Sequence, residues 1–174
     1  MKSRQMALFT LCVLLGLPAL RAKADDRSEI VALYHRLEVA QKSQSASGTL
    51  ALLAPNFSYK SGDGKTHNAQ EFVDQMKMQM KLVKRIRDTK MKVTKVVING
   101  KRAKVTNDFA WSMEIEDTAG AAGKPGQLHV MASTGSVENE LEKTSKGWKF
   151  LTLRTVSGKM TMDGHPIHPP TAAK

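Results

Sequence analysis

The sequence predicts an α+β domain: a cone-shaped roll of three N-terminal helices packed on a strongly bent antiparallel sheet. Two observations carry this. Apolar residues recur with a helical period as far as Val83 and with a period of two from Thr89 onward. The strands alternate, so one face of the sheet needs a cover, and the helices are the elements available to supply it.

Before the domain, Met1-Lys-Ser-Arg4 supplies a basic start, Met6 to Leu20 an apolar run, and Ala22-Lys-Ala24 a small-x-small cleavage pattern. This predicts a secretory signal over residues 1–24, cut after Ala24, and a periplasmic or secreted mature chain. The apolar run of about fifteen residues is shorter than the ~20 that span a bilayer. Cys12, the single cysteine, lies inside it, so the mature chain has no disulfide, thiolate metal site or cysteine nucleophile. The mature chain is long enough for one domain with a real core.

The first helix follows from Ile30, Leu33, Tyr34, Leu37 and Gln41 on one face, with Asp25 and Asp26 at its favourable end. Ser43 to Gly48 is a break. A short second helix with Leu50, Leu53 and Ala54 is stopped by Pro55. Phe57-Ser-Tyr59 reads as a short strand and Asp63-Gly64 as a tight turn. Asn68 and Glu71 have the form of a capping box, which starts a third helix near Ala69 with Phe72, Val73, Met76, Met80 and Val83 inside.

Thr89 to Ile98 and Lys101 to Glu116 are strands joined at Asn99-Gly100. A loop from Asp117 to Gly126 leads to a strand from Gln127 to Lys143. Its apolar set moves from even to odd positions, which predicts a bulge near Gly135. Ser145-Lys-Gly147 turns into a last strand, Trp148 to Met160. The domain is expected over residues 25–160 and an unstructured tail over 161–174, with Pro166, Pro169 and Pro170.

This order of elements, the run LLAPNFSY, the Asp-Gly turn before Glu71-Phe72 and the closing Gly147-Trp148-Lys-Phe150 resemble the nuclear transport factor 2-like superfamily. The match is to its SnoaL-like and ketosteroid-isomerase-like small bacterial domains, over about Arg27 to Met160. The resemblance implies a cystatin-like roll with a pocket in the cone and a homodimer through the outer face of the sheet. It also implies where a steroid isomerase would carry its base and its oxyanion-stabilising tyrosine. Ser61 stands at the first place, with Asp63 two residues on. Leu37 is nearest the second, with Tyr34 a turn away. A base must reach its proton, so Ser61 removes that mechanism.

The candidate ligand-binding residues are Arg154, Tyr59, His129, Trp111 and Asn107. Arg154 shares parity with Trp148, Phe150 and Thr152 in the last strand; if that face lines the cone, it is a cation able to clamp a small acid. The bland alternative is a pairing with Glu114 or Glu138. Tyr59 and Trp111 are most simply core aromatics with a polar handle, and His67, beside a helix cap, is expected to be exposed. A catalytic alternative, an isomerase or hydrolase, would use His129 or Asp108 as base. No nucleophile frame, phosphate loop or zinc spacing is present, and no cofactor is implied. Met160, Met162, His165 and His168 gather thioethers and imidazoles in nine residues, a set that suits copper.

The formal charge of +11 falls to +7 without Lys2, Arg4, Arg21 and Lys23. Eleven Lys and Arg lie between Lys77 and Lys104 against the single acid Asp88. Such a stretch is either a solvated face or a weak contact for an anionic membrane surface; nucleic acid is a poor partner for an exported chain. The reading that results is an exported binding or accessory protein for a small molecule, an anion being favoured by Arg154.

Overall fold

The computed structural model describes residues 17–60, 65–120 and 123–167. Most of the signal segment, the Ser61–Gly64 turn and His168 lie outside the described residues.

Helix α1 (Leu17–Lys42) buries Ile30, Leu33, Tyr34 and Leu37, the stripe its spacing predicts. Helix α2 (Ala46–Leu50) starts earlier than expected because Ser45 caps it, its side chain accepting from the Gly48 amide at 3.0 Å. Leu53 and Ala54, expected in this helix, instead open strand β1 (Leu53–Lys60). The Phe150 amide donates to the Leu52 carbonyl at 3.0 Å and ties the chain to the sheet before Pro55 is reached. Strand β2 (Thr66–Asn68) pairs antiparallel with β1.

Helix α3 (Ala69–Met80) has the predicted capping box. The Glu71 amide donates to Asn68 Oδ1 at 3.0 Å, and the Asn68 amide donates to Glu71 Oε2 at 2.9 Å. Val83, expected on its inner face, instead begins strand β3 (Val83–Asn99). Strands β4 (Arg102–Asp117), β5 (Gln127–Thr144) and β6 (Gly147–Met162) follow. At the β3–β4 turn Gly100 has φ 57, which favours glycine.

The strands run in the order β2-β1-β6-β5-β4-β3. Neighbours are antiparallel except β1 and β6, which pair in parallel, so the expected antiparallel sheet is mixed. The parallel pair is possible because one helix, α3, and four strands, β2 to β5, separate its members in sequence.

The expected tail is corrected over its first seven residues: β6 continues to Met162 and strand β7 (His165–Ile167) returns along it. Asp163 and Gly164 make the turn with φ 50 and 82. Asp-Gly is a favoured dipeptide for that geometry.

The core lies between α1, α3 and the concave face of the sheet. Trp148, Phe150, Leu141 and Val105 are fully buried there, each large apolar side chain contributing roughly 1.5–3 kcal/mol of transfer free energy. Tyr34 meets Phe150 edge-on at 5.2 Å. The Trp148 indole donates to Asp26 Oδ1 at 3.0 Å, and the Lys143 ammonium sits on the same oxygen. The bond from Lys143 holds the Asp26 carboxyl below its usual value.

Cross-strand partners share a face, so the unbroken β4–β5 register puts the odd residues of both strands on the concave side. The expected slip in β5 is therefore absent from that ladder. It falls on β6, where Leu151 and Val156 are each an extra residue opposite β5. Gly135 pairs with Gly158 under the ring of Phe109. A Cβ on Gly135 would stand 2.2 Å from the Ser157 carbonyl, so the sheet bends there at a contact only glycine permits.

Candidate functional site

A cavity of about 250 Å³ opens between α3, the end of α1 and the bent sheet. Helix α3 contributes Phe72, Gln75, Met76, Gln79 and Met80, the i, i+3, i+4, i+7, i+8 face that turns inward. Gln41 comes from α1 and Tyr59 from β1. Trp111 and Met113 are odd residues of β4 and face the cavity together. Ile86 and Thr89 of β3 reach it from an odd separation, because a bulge at Arg87 restores their facing between the pairs with Met113 and Trp111.

One wall is aromatic. Phe72 lies 5.4 Å from Phe57 and 5.3 Å from Tyr59, ring centre to ring centre. Tyr59 stacks on His67 at 6.3 Å, the two being cross-strand partners of β1 and β2. His67, expected to be exposed, is half-buried in this way. Its ring accepts from the Gln75 amide at 3.2 Å, so Gln75 is held in place at the cavity rim.

Among the described residues, the lining holds no carboxylate, imidazole, amine or guanidinium. Its polar groups are three amides, a threonine hydroxyl, a phenol and an indole. Such groups orient a neutral molecule by hydrogen bonds and give no compensation for a buried charge.

A second polar cluster closes the cone at depth. Tyr34 stands two helical turns before Gln41, about 10 Å along α1. Asn139 Nδ2 donates to the Tyr34 hydroxyl at 2.5 Å and to Asn107 Oδ1 at 3.0 Å. Burial pushes the Tyr34 phenol pKa up, so it stays a neutral hydroxyl.

A third cluster lies where β5 meets the β6–β7 turn. His129 Nδ1 donates to Asp163 Oδ2 at 2.6 Å, and the Val130 amide donates to Asp163 Oδ1 at 2.8 Å. The bond from His129, then that from Val130, hold the Asp163 carboxyl below its usual value.

The sequence-predicted residues therefore separate. Tyr59 and Trp111 meet at the cavity. Asn107 belongs to the buried cluster beneath it, and His129 to the corner beyond it. Arg154 is corrected: the extra residue Leu151 reverses the parity of β6, so Arg154 stands opposite Glu138 on the exposed convex face. Glu138 itself pairs with Lys104 at 3.0 Å. Asp108, an even residue of exposed β4 surface, also faces away from the cone. Of the copper set, Met160 and Met162 are half-buried and His165 is exposed.

Sequence reasoning missed Gln75, Gln79, Thr89 and Met113 as lining residues. For the two glutamines the signal was the continuation of the Phe72 helix face. The strand pairings that bring Thr89 and Met113 to it have no local mark.

The basic stretch is largely paired. Lys77 meets Asp74, Lys84 meets Glu116, Arg85 and Arg87 share Glu114, Lys90 meets Asp88, Arg102 meets Glu142 and Lys104 meets Glu138. Arg87 and Arg85 hold the Glu114 carboxyl below its usual value. These acids reduce the field that an anionic surface would feel.

No family model matches the sequence, and no curated protein matches it; the likeness is to solved structures. An NTF2-like superfamily protein of Salmonella enterica serovar Typhimurium is similar at TM-score 0.61 and 14% identity, over 78% of this chain and 92% of that one. A Kribbella flavida protein is similar at TM-score 0.61 and 14% identity, over 78% and 94%. A type 2 hexachlorocyclohexane dehydrochlorinase is similar at TM-score 0.57 and 14% identity, over 85% and 96%. With its three helices against an unclosed, strongly curved sheet, the chain has the fold of the nuclear transport factor 2-like proteins.

Proposed function

We propose that this is an exported small-molecule-binding protein whose ligand is neutral and seated in the cone. The observation that carries the reading is the lining of the cavity, uncharged among the described residues, with three amides and the Thr89 hydroxyl set among Trp111, Tyr59, Phe72 and three methionines. An anionic ligand needs a cation such as Arg154, which lies on the other face of the sheet. Catalysis in the cavity is disfavoured by the same lining, since a general acid or base must touch the reacting proton. A volume of about 250 Å³ suits a compact fragment-sized molecule rather than a steroid.

The export half of the proposal rests on the basic start, apolar run and Ala22-Lys-Ala24 pattern, and the compartment proposed with it is the periplasm or the cell exterior. Asp26 anchors the start of the domain two residues past the proposed cut. We further propose a homodimer through the convex face of the sheet, where Leu128 and Val156 are exposed; the mass in solution by light scattering tests it, and a monomer at all concentrations removes it.

The binding reading is tested by thermal shift with matched pairs of compounds, a neutral ketone, lactone or amide against the carboxylate of the same ring. At ten times Kd a ligand adds about 1.4 kcal/mol, a rise of roughly 3–6 °C for a chain of this size. The neutral members are expected to give that rise, to lose it in Trp111→Ala and to keep it in Arg154→Ala. Shifts given only by the carboxylates and lost in Arg154→Ala would defeat the reading.

A further inference from the structure

Among the described residues three buried polar atoms have no hydrogen-bond partner, Thr49 Oγ1, Asn139 Oδ1 and His129 Nε2, and only the last has soft ligands beside it. His129 is only 3% exposed, and its Nδ1 faces a carboxylate oxygen of Asp163 at 2.6 Å. A carboxylate oxygen here accepts, so a ring proton sits on Nδ1, and Nε2 is the nitrogen left to meet a ligand through its lone pair. That nitrogen is shut off from solvent and has no hydrogen-bond partner among the described residues. Leaving a buried acceptor unmade costs on the order of 1–3 kcal/mol, and an orphan of this kind points to a missing ligand.

Its neighbours say which. Met131 follows two residues along β5 and shares the face of His129. Met162 is the cross-strand partner of Met131 and shares that face too. Both are half-buried. Ile115 stands across from His129 on β4 and keeps the corner apolar. One imidazole nitrogen and two thioethers thus occupy a single corner of the cone, beyond the cavity assigned to the neutral ligand.

We propose that His129 Nε2 and the sulfurs of Met131 and Met162 bind one Cu(I) ion. Thioether and imidazole ligands select soft, monovalent copper over the hard and borderline divalent metals. Among the described residues no three His, Cys, Asp or Glu side chains gather around a point, so the donor set for structural zinc or calcium is not assembled. All three ligands are neutral, and a single positive charge is the least costly cation to bury among them. Asp163 completes the arrangement: a metal-binding histidine usually gives its other N–H to a carboxylate, which fixes the tautomer and aims the ring. The site differs from the run Met160, Met162, His165 and His168 suggested by the sequence. It keeps Met162, but draws its imidazole from β5 and its second sulfur from the cross-strand partner.

The test uses the purified full-length chain, titrated anaerobically with Cu(I) against a competing chelator. One Cu(I) per chain is expected. The near-isosteric Met131→Leu and Met162→Leu should each weaken it about tenfold or more, and Asp163→Asn by about 10–100-fold. Zinc(II) should not compete. Since His129→Gln alters a side chain only 3% exposed and puts the fold of the corner at risk, the wild-type protein carries a second readout: with methyl-labelled methionine, Ag(I) as a soft stand-in should shift the Met131 and Met162 signals and leave Met76 and Met80 unmoved. Absence of Cu(I) binding, binding unchanged by both leucine variants, or binding lost in His165→Gln but kept in a folded His129→Gln would each overturn the proposal.

Discussion

Asn139 can place its amide on Tyr34 and Asn107 only because α1 and the β4–β5 ladder meet at one depth in the cone. Removing the hydroxyl leaves a buried amide hydrogen without an acceptor. Tyr34→Phe is therefore expected to cost about 1–3 kcal/mol in urea denaturation, whereas Tyr59→Phe, at the half-buried cavity rim, should cost about 0.5 kcal/mol or less. Asp163 gives a pH signature instead. Its folded pKa lies below the usual 3.8, so its contribution is in full above that value and is lost as the pH falls through the lower folded one. Thermal melts of wild type and Asp163→Asn should differ near neutral pH and converge in strong acid. A difference that persists unchanged into acid would contradict the bond from His129. Tyr34 was legible in the sequence as part of a helix stripe. Asn139 was not, because a polar residue inside an alternating strand has the same pattern whether it faces solvent or a buried partner.

Among the elements, β6 decides most. Its extra residues at Leu151 and Val156 each reverse which side chains face inward, and the one at Leu151 moves Arg154 from the expected pocket to the convex surface. The sequence signalled a bend near Gly135 through the change of apolar parity in β5. It could not show which strand held the extra residue, because alternation within one strand says nothing of its partner's register. The even residues Leu128, Val130 and Ala132 compounded this, since apolar side chains there lie on the outer face while His129 and Ser133 point inward. Gly135→Ala tests the bend: with the Ser157 carbonyl 2.2 Å from the new methyl, a loss of roughly 1–3 kcal/mol or more is expected in thermal or urea unfolding. A neutral effect would mean that the two strands do not approach so closely. The same dipeptide carries a different weight in different company: Asp63-Gly64, between a strand pattern and a capping box, reads as a turn, while the prolines and metal-ligand types around Asp163-Gly164 mask the turn it makes.

For the whole molecule, three helices and a bent sheet were legible because period and turn chemistry are local, and capping at Asn68 and Glu71 needs only four residues to be seen. The parallel pairing of β1 with β6 and the uncharged character of the cavity were not, since both depend on residues far apart in sequence meeting in space. The charge of the chain misled in the same way. Seven of the eleven basic residues from Lys77 to Lys104 meet acids, most of them across a strand boundary. Retention on anionic vesicles is accordingly expected to be weak and to vanish near physiological salt, where charges beyond ~8 Å are screened; tight retention that persists at physiological salt and is released only as salt is raised further would restore the surface reading.

The central claim concerns the cone, and crystallographic soaking with the matched neutral and acidic compounds tests it most directly. The neutral member is predicted to occupy the cavity, touching Trp111 and hydrogen-bonded to Gln75 or Thr89, while its carboxylate partner leaves the cavity empty. A carboxylate seated in the cone in place of the neutral compound, or ligands that gather only at Arg154, would contradict it.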